Sequence, residues 1–190
     1  LKKRYDAYLY LDEAHSIGAT GATGRGVTEY FNVPTQDIDV MMGTFTKSFG
    51  SIGGYIASTK NVINCIRHRS TSCIYANDVT YPAVQQTLST LNELINGCNR
   101  PASLKKNSNY FRNSLVLKGF KVIGDADSPI IPVLIEDYFK LVAFSRKCLD
   151  KGVAVVIVGY PATPLLESRA RFCISSEHNE RTTQVCIKCD

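Results

Sequence analysis

The fold is best predicted from one stretch of the sequence, G-T-F-T-K-S-F-G at residues 43–50. A mainly apolar run at residues 38–42 precedes it and is typical of a strand. The run A-Y-L-Y-L at residues 7–11 predicts a strand buried on both faces of a parallel sheet, and it ends in D-E-A-H at residues 12–15. Open α/β sheets bind ligands at the carboxyl edge of their strands. The two polar stretches are therefore candidate site residues.

The rest of the first half alternates strands and helices. Residues 53–57 predict a third strand and residues 61–69 a helix, and Pro82 suits the first turn of a helix that runs to about Ile95. The Gly, Asn, Pro and Ser residues between 97 and 103 predict a domain boundary. We therefore expect an α/β domain with a mainly parallel sheet at residues 1–97, and a smaller α+β domain at residues 98–190.

Apolar patterns also predict the elements of the second half. Leu104, Phe111 and Leu115 share one helical face, and a second amphipathic helix is expected at residues 138–149. Strands are expected at residues 120–123, 130–135, 153–158 and 170–175.

Composition excludes some classes of function. The net charge of +5 is scattered, and the densest basic stretch, residues 67–69, lacks the aromatic residues expected of a nucleic-acid surface. No apolar run approaches the roughly 20 residues that span a bilayer. The sequence opens at Leu1 on a charged stretch without a signal peptide, so we expect a fragment that begins inside a domain.

The seven cysteines are odd in number and mostly irregular in spacing, which favours reduced thiols. Cys186 and Cys189 form a C-x-x-C pair, but no second ligand pair lies at a spacing that suits zinc. No metal site is predicted.

Asp12 and Lys47 follow two predicted strands, and their separation (47 − 12 = 35) accommodates a strand–crossover–strand unit. A lysine that forms a Schiff base with a pyridoxal cofactor needs such a carboxylate to keep the pyridine nitrogen protonated, and donors for the phosphate. Taken singly, an Asp at a strand end is usually a turn or a cap, and a Lys is usually solvated. Only their joint placement beside glycines and hydroxyls favours the cofactor site.

D-E-A-H is also a helicase-type magnesium motif when a phosphate-binding loop accompanies it. That loop requires G-x-x-x-x-G-K-[ST], whereas Thr46 precedes Lys47 here and no other stretch fits. An ATP-dependent helicase is a remote alternative.

The combined motifs resemble the α-oxoamine synthases, a family of pyridoxal-phosphate enzymes with the fold-type-I architecture. G-T-F-T-K-S-F-G resembles the Lys-bearing subunits of the serine palmitoyltransferase branch, because other members commonly carry G-T-L-x-K-A-x-G. The resemblance runs from about residue 7 to residue 178 and corresponds to the C-terminal part of a longer protein. Its motifs are D-E-A-H-S-I-G at 12–18, G-R-G-V at 24–27, G-G-Y at 53–55, D-S-P at 127–129, P-A-T-P at 161–164 and E-S-R-A-R-F at 167–172.

The resemblance implies roles for individual residues. Lys47 forms the Schiff base with pyridoxal 5'-phosphate and later moves the α-proton of the substrate. Asp12 pairs with the pyridinium nitrogen, and His15 hydrogen-bonds the phenolic oxygen. Thr44, and with it Thr46, binds or orients the phosphate.

Four further assignments concern other parts of the chain. The resemblance implies that Arg171 receives the substrate carboxylate, for which a guanidinium is suited. Arg169 is interpreted as a packing or ion-pairing residue, and His68 and His178 as structural. The loop at residues 18–26 is expected to shape the surroundings of the site and not to cradle a phosphate.

Two segments depart from the family pattern. Residues 75–82 read Y-A-N-D-V-T-Y-P where relatives read like Y-A-T-S-x-S-P-P, a segment that reaches the phosphate of the neighbouring subunit. Asn77 keeps a donor, but Asp78 adds a negative charge near a dianion. The tail at residues 182–190 replaces an amphipathic helix.

The implied reaction condenses L-serine with palmitoyl-CoA, with loss of carbon dioxide and CoA, to give 3-oxosphinganine. A non-catalytic partner subunit and the cytosolic face of the endoplasmic reticulum membrane are also implied by the resemblance, with membrane association through regions absent from this chain. Two alternatives stay open. One is a related synthase that uses glycine or alanine, and the other is a non-catalytic fragment that only folds or pairs.

Overall fold

The computed structural model describes residues 1–179, and the chain divides into two units, Leu1–Pro101 and Ala102–Asp190. The predicted boundary after residue 97 stays a prediction. The C-x-x-C pair and the altered tail lie outside the described residues. Within residues 1–179, no helix is both long enough and apolar enough to cross a bilayer.

The first unit is built around a three-stranded sheet with the order β1-β2-β3. The predicted helices at 61–69 and from Pro82 to Ile95 are confirmed. The elements in chain order are α1 (Lys2–Tyr5), β1 (Tyr10–Asp12), α2 (Val27–Tyr30), a 3-10 turn (Thr35–Asp37), β2 (Val40–Thr44), β3 (Gly54–Ser58), α3 (Lys60–Arg69), α4 (Thr71–Tyr75) and α5 (Tyr81–Ile95).

Strand pairing in this sheet follows from the lengths of the connections. β1 and β2 are parallel, with Asp12 opposite Met42, and residues 13–39 provide the crossover that a parallel pair requires. β2 and β3 are antiparallel, with Thr44 opposite Gly54. The connection at residues 45–53 is too short for a parallel crossover. The predicted strand–crossover–strand unit between Asp12 and Lys47 is therefore confirmed.

The predicted burial of the first strand on both faces is wrong for the described chain. Tyr8 is 93% exposed, Tyr10 57% and Leu9 38%. The regular strand is also shorter and later than residues 7–11, because it spans Tyr10–Asp12. Within residues 1–179, β1 pairs only with β2. No strand of the described chain pairs with its second edge, and most of its apolar surface is not packed against other residues.

The second unit contains an antiparallel sheet with the order β4-β6-β5. Its sheet buries alternate residues of β4 and β6 against Phe111 and Leu115 of α6. Asp137 caps α7 by accepting from the backbone N–H groups of Phe139 and Lys140. The elements are α6 (Arg100–Leu117, which begins in the first unit), β4 (Ile130–Leu134), α7 (Tyr138–Asp150), β5 (Val156–Val158), a 3-10 turn (Leu165–Glu167) and β6 (Arg169–Cys173).

The strand predicted at residues 120–123 is wrong, because only an isolated bridge joins Val122 to Val133. The guanidinium of the buried Arg112 donates to the carbonyls of Ile123 and Gly124. The side chain therefore satisfies the carbonyl of Ile123, which the opposite residue, Pro132, cannot pair because it has no N–H.

Candidate active site

The first cluster of candidate residues lies where β1 ends. Asp12 is the last residue of β1 and is exposed, and its Oδ1 accepts a hydrogen bond of 2.8 Å from the N–H of Ala14. The carbonyl of Glu13 accepts from the N–H groups of Ser16 and Ile17, each at 3.0 Å. His15 is therefore presented on a single tight turn directly after the strand, with its side chain exposed.

The second cluster begins at the end of β2. Thr44 Oγ1 lies 2.6 Å from Thr46 Oγ1, accepts from the N–H of Thr46 at 3.0 Å and donates to the carbonyl of Gly53 at 3.2 Å. Thr46 is exposed. The two hydroxyls are therefore ordered side by side at the edge where β1 and β2 both end.

Lys47 begins an exposed turn at residues 47–50, here called the lysine turn. A hydrogen bond of 3.0 Å from the N–H of Gly50 to the Lys47 carbonyl closes it. Within the part of the chain that the structure describes, Lys47 makes no ion pair. Its amine is thus accessible at the edge of the sheet.

Helix α5 holds this turn in place. Thr90 Oγ1 and Gln86 Nε2 both donate to the carbonyl of Phe49, at 3.2 and 3.4 Å, and Ser51 Oγ donates to the carbonyl of Ala83 at 2.8 Å. Phe49 itself is buried. Sequence patterns predict α5 but do not show which side chains it directs at the lysine turn.

One close contact joins the two clusters. Gly18, in the loop that follows His15, packs against Ser48, the residue after Lys47. A Cβ added at Gly18 would lie 2.6 Å from the Ser48 Cβ, and the φ angle of Gly18 is +77°. Only glycine suits this position, for both steric and conformational reasons. The loop that follows the D-E-A-H turn is therefore in contact with the lysine turn.

The loop at residues 18–26 is closed by its own hydrogen bonds. The N–H of Gly18 donates to the carbonyl of Gly24 at 2.7 Å, and the Glu29 carboxylate accepts from the N–H groups of Thr23 and Arg25. Burial alone would raise the pKa of Glu29, but these hydrogen bonds lower it below its ordinary value. Since internal acceptors take these amides, the geometry supports a loop that shapes the site and does not cradle a phosphate.

One buried and one half-buried ionisable group, Glu13 and Tyr55, lie behind the edge. The Tyr55 ring packs over Gly43, where an added Cβ would lie 2.5 Å from the ring. Burial raises the pKa of Tyr55, and the charge of Glu13 raises it further. Burial also raises the pKa of Glu13, against hydrogen bonds from the N–H groups of Thr28 and Val27 that lower it. Sequence reasoning missed Glu13, and D-E-A-H carries no signal that separates its role from that of Asp12.

An apolar cavity of about 450 Å³ lies next to the lysine turn. Phe45 and Phe49, which flank Lys47 in the sequence, line it together with Leu88 and Leu91 of α5. The lysine turn thus has a polar edge and an apolar interior side.

The remaining predicted site residue, Arg171, lies in β6 of the second unit. It stands opposite Pro132 and Val156, and its buried Nε has no hydrogen-bond partner within residues 1–179. Arg169 donates to the Glu167 carboxylate at 3.0 Å, so its interpretation as an ion-pairing residue is confirmed. An unpaired buried N–H of a guanidinium suits an anionic ligand.

The two histidines interpreted as structural both contact backbone groups. His68 Nδ1 lies 2.7 Å from the carbonyl of Asn64, and His178 Nδ1 accepts from the N–H of Ser175 at 3.2 Å. These contacts support the structural interpretation.

Comparison with known proteins identifies the family. The model of the family described as aminotransferase class I and II matches residues 1–188. The chain belongs to this family.

Two similar proteins align with almost the whole of this chain. Long chain base biosynthesis protein 2a of Arabidopsis thaliana is 51% identical over 183 residues, which are 93% of this chain and 37% of that protein. Serine palmitoyltransferase 2 of Dictyostelium discoideum is 50% identical, over 94% of this chain and 38% of its own length. The chain thus spans less than two fifths of these relatives.

Solved structures agree with the fold. Serine palmitoyltransferase of Sphingomonas wittichii superposes with a TM-score of 0.91 at 28% identity, over 99% of this chain and 47% of that one. A second serine palmitoyltransferase structure, with a TM-score of 0.92, holds pyridoxal phosphate as an internal aldimine. The predictions of family, fold class and cofactor are confirmed.

The edge of the sheet fits the cofactor that this aminotransferase family uses. Asp12 and His15 at the end of β1 supply a carboxylate and an imidazole, and Thr44, Thr46 and Lys47 at the end of β2 supply two hydroxyls and an amine. The two sets lie at the same edge of the sheet, and Gly18 packs on Ser48 in the loops that follow them. The individual role of each residue stays a prediction.

Proposed function

We propose that the chain is the C-terminal part of the Lys-bearing subunit of serine palmitoyltransferase. This enzyme would condense L-serine with palmitoyl-CoA, release CoA and carbon dioxide, and form 3-oxosphinganine. The observation that carries the proposal is the shared edge of β1 and β2, where Asp12 ends one strand and the lysine turn follows the other, with Gly18 packed on Ser48. The names of the relatives support the choice of substrates.

Pyridoxal phosphate, when bound, supplies an electron sink for the α-carbon of the amino acid. Lys47 would hold the cofactor through its Nζ and later move the α-proton. Asp12 would keep the pyridine nitrogen protonated, because its carboxylate favours the charged ring. His15 would hydrogen-bond the phenolic oxygen of the ring.

The remaining polar groups would bind the two anions of the reaction. Thr44 and Thr46 would donate hydrogen bonds from their hydroxyl groups to the phosphate. For this, Thr44 would have to break its hydrogen bond to the carbonyl of Gly53, or the Thr46 hydroxyl would have to rotate away from Thr44. Arg171 would bind the substrate carboxylate through the guanidinium whose Nε has no partner among the described residues.

The non-catalytic partner subunit and the cytosolic face of the endoplasmic reticulum membrane belong to the same proposal. Membrane association would come from regions that this chain does not include. An exposed segment that includes Tyr75, Asn77 and Asp78 supports a protein contact on this side of the first unit. The negative charge of Asp78 would oppose a contact with the phosphate of the neighbouring subunit, whereas Asn77 keeps a donor for it.

Reduction with borohydride in the presence of pyridoxal phosphate tests the proposal. We expect the full-length gene product, purified with its partner, to carry the reduced cofactor on the peptide that contains Lys47. Lys47→Ala should abolish both this label and the formation of 3-oxosphinganine, because the proposed Schiff base forms on the Nζ of Lys47.

Lys60→Ala is the matched control, since Lys60 is an exposed lysine at the start of α3 and lies outside the site. It should keep full labelling and turnover. Labelling that persists in Lys47→Ala would contradict the proposal. Products formed from glycine or alanine in place of serine would identify a related synthase, and the isolated 190-residue chain is expected to be inactive.

A further inference from the structure

Glu13 is the most completely buried ionisable side chain of the first unit. It is 0% exposed. The residue before it, Asp12, and the second residue after it, His15, are both exposed, and both are assigned to the cofactor. An ionisable group is rarely buried completely unless it is paired. The second carboxylate oxygen of Glu13, Oε2, has no hydrogen-bond partner within the described residues.

The other oxygen of Glu13 connects β1 to a distant segment. Glu13 Oε1 accepts from the backbone N–H groups of Val27 and Thr28, at 3.1 and 3.4 Å. Both N–H groups belong to the first turn of α2, whose N-cap residue, Gly26, has no side chain to satisfy them. Glu13 therefore replaces the missing cap from a position 14 residues away in the sequence.

The backbone at Gly26 leaves room for the Glu13 carboxylate, and a side chain at residue 26 would displace it. A Cβ added at Gly26 would lie 1.9 Å from Glu13 Oε2, and the φ angle of Gly26 is +87°. Gly26 thus allows the backbone to approach the carboxylate closely.

The backbone of Glu13 is held as tightly as its side chain. Its N–H donates to the carbonyl of Met42 at 2.7 Å, which extends the pairing between β1 and β2 by one residue. Its carbonyl accepts from the N–H groups of Ser16 and Ile17 and from Ser16 Oγ. Every change in the position of Glu13 therefore moves the turn that carries His15.

We propose that Glu13 is a positioning residue for the cofactor site. By tying the end of β1 to the first turn of α2, it holds Asp12 and His15 at the edge where Gly18 meets Ser48 beside Lys47. The inference rests on the roles proposed for Asp12 and His15. A side chain that only filled space would not need an acceptor oxygen at this distance from the backbone.

Substitutions at Glu13 separate positioning from packing. Glu13→Gln keeps the side-chain length and an acceptor oxygen for Val27 and Thr28, whereas Glu13→Asp is one methylene shorter and cannot reach them from the same backbone position. Glu29→Asp is the matched control, because Glu29 holds the same loop through Thr23 and Arg25, and none of its hydrogen bonds within residues 1–179 reaches β1.

The measurement is the dissociation constant of pyridoxal phosphate for the full-length gene product with its partner, beside the melting temperature of the cofactor-free protein. We expect Glu13→Asp to weaken cofactor binding about tenfold, which corresponds to roughly 1.4 kcal/mol. Glu13→Gln and Glu29→Asp should both stay within about threefold of the unsubstituted protein, or less than 0.7 kcal/mol. The melting temperatures of the cofactor-free proteins should agree within a few degrees.

Any one of three other results would overturn the inference. Unchanged cofactor affinity in Glu13→Asp, an equal loss in Glu29→Asp, or a loss of the fold in Glu13→Asp would show that Glu13 only supports the loop. These results would leave the proposed function intact, provided that Lys47 is still labelled in the unsubstituted protein. Absence of that label would overturn the proposed function, and this inference with it.

Discussion

The two units of the chain differ in the types of residue that they bury. In the second unit, eight buried hydrophobic residues from α6, the sheet and the segment around α7 form one cluster, which includes Phe111, Ile131 and Phe172. In the first unit, the buried hydrophobic residues are Ala14, Phe49 and Ala83.

Polar residues occupy the corresponding buried positions of the first unit. Glu13, Ser16 and Thr28 are all buried, and all three take part in the hydrogen bonds that surround the D-E-A-H turn. The comparison shows that hydrophobic packing organises the second unit, whereas hydrogen bonds at two strand ends organise the candidate site. The apolar strand of the first unit stays exposed beside this polar network.

The largest expected effect concerns the hydrophobic cluster. Phe111 is 0% exposed and contacts Phe172 at a ring-centroid distance of 5.1 Å. Phe111→Ala should lower the free energy of unfolding by about 3–5 kcal/mol, because a buried aromatic ring leaves a cavity. Hydrogen exchange of the β4 and β6 amides would measure the loss.

Tyr8→Ala is the control in the first unit, since Tyr8 is 93% exposed. It should change the free energy of unfolding by less than about 0.5 kcal/mol in the 190-residue chain. A comparable loss in both variants would break the contrast between the two units.

A smaller effect is expected at Arg171, the residue of the second unit that is proposed to bind the substrate carboxylate. Arg171→Lys keeps the charge but loses the planar fork of donors. Hydrogen bonds to charged groups contribute about 1.5–3 kcal/mol. We therefore expect the KM for L-serine to rise roughly ten- to hundredfold, while the KM for palmitoyl-CoA changes little.

Arg169→Lys provides the comparison, because Arg169 is paired with Glu167. It should leave the KM for L-serine near that of the unsubstituted enzyme. An increase in both variants would show that β6 as a whole, and not Arg171, determines binding of the amino acid.

The smallest effect is a pH dependence that distinguishes the two carboxylates of the loop. Burial raises the pKa of Glu13 above 4.5, so the protonated form favours folding and stability is lost as the pH rises from 4.5 through the pKa of the folded state. Glu13→Gln should remove this loss. Its stability relative to the unsubstituted protein should therefore increase across that range in urea unfolding.

Glu29 should behave in the opposite way. Hydrogen bonds from Arg25 and Thr23 outweigh burial and lower its pKa, so Glu29 contributes stability above pH 4.5 that is lost as the pH falls through the pKa of the folded state. Glu29→Gln should therefore be less stable than the unsubstituted protein at neutral pH, with the difference vanishing in acid. The same sign for both variants would contradict the assigned environments.

Most elements could be predicted from local patterns. The helices α3, α5 and α7, the strands β2 and β3 and the crossover between Asp12 and Lys47 all follow from periodicity, glycine and proline signals. Burial of residues 7–11 could not be predicted correctly. An apolar pattern indicates that a strand is suited to burial, but it does not show whether packing partners for both faces are present in the chain. The strand expected at 120–123 is reduced to an isolated bridge because Pro132, opposite Ile123, has no N–H to donate, and Arg112 takes the Ile123 carbonyl instead.

The sequence by itself determined the chemical character of the site, since the amine of Lys47, the carboxylate of Asp12 and the imidazole of His15 are visible in two short motifs. Only the tertiary structure decided how those motifs meet. Gly18 packs on Ser48, and Glu13 reaches the first turn of α2 across 14 residues of chain. Such contacts depend on the direction in which a side chain leaves a folded backbone, and residue types along a chain do not specify that direction.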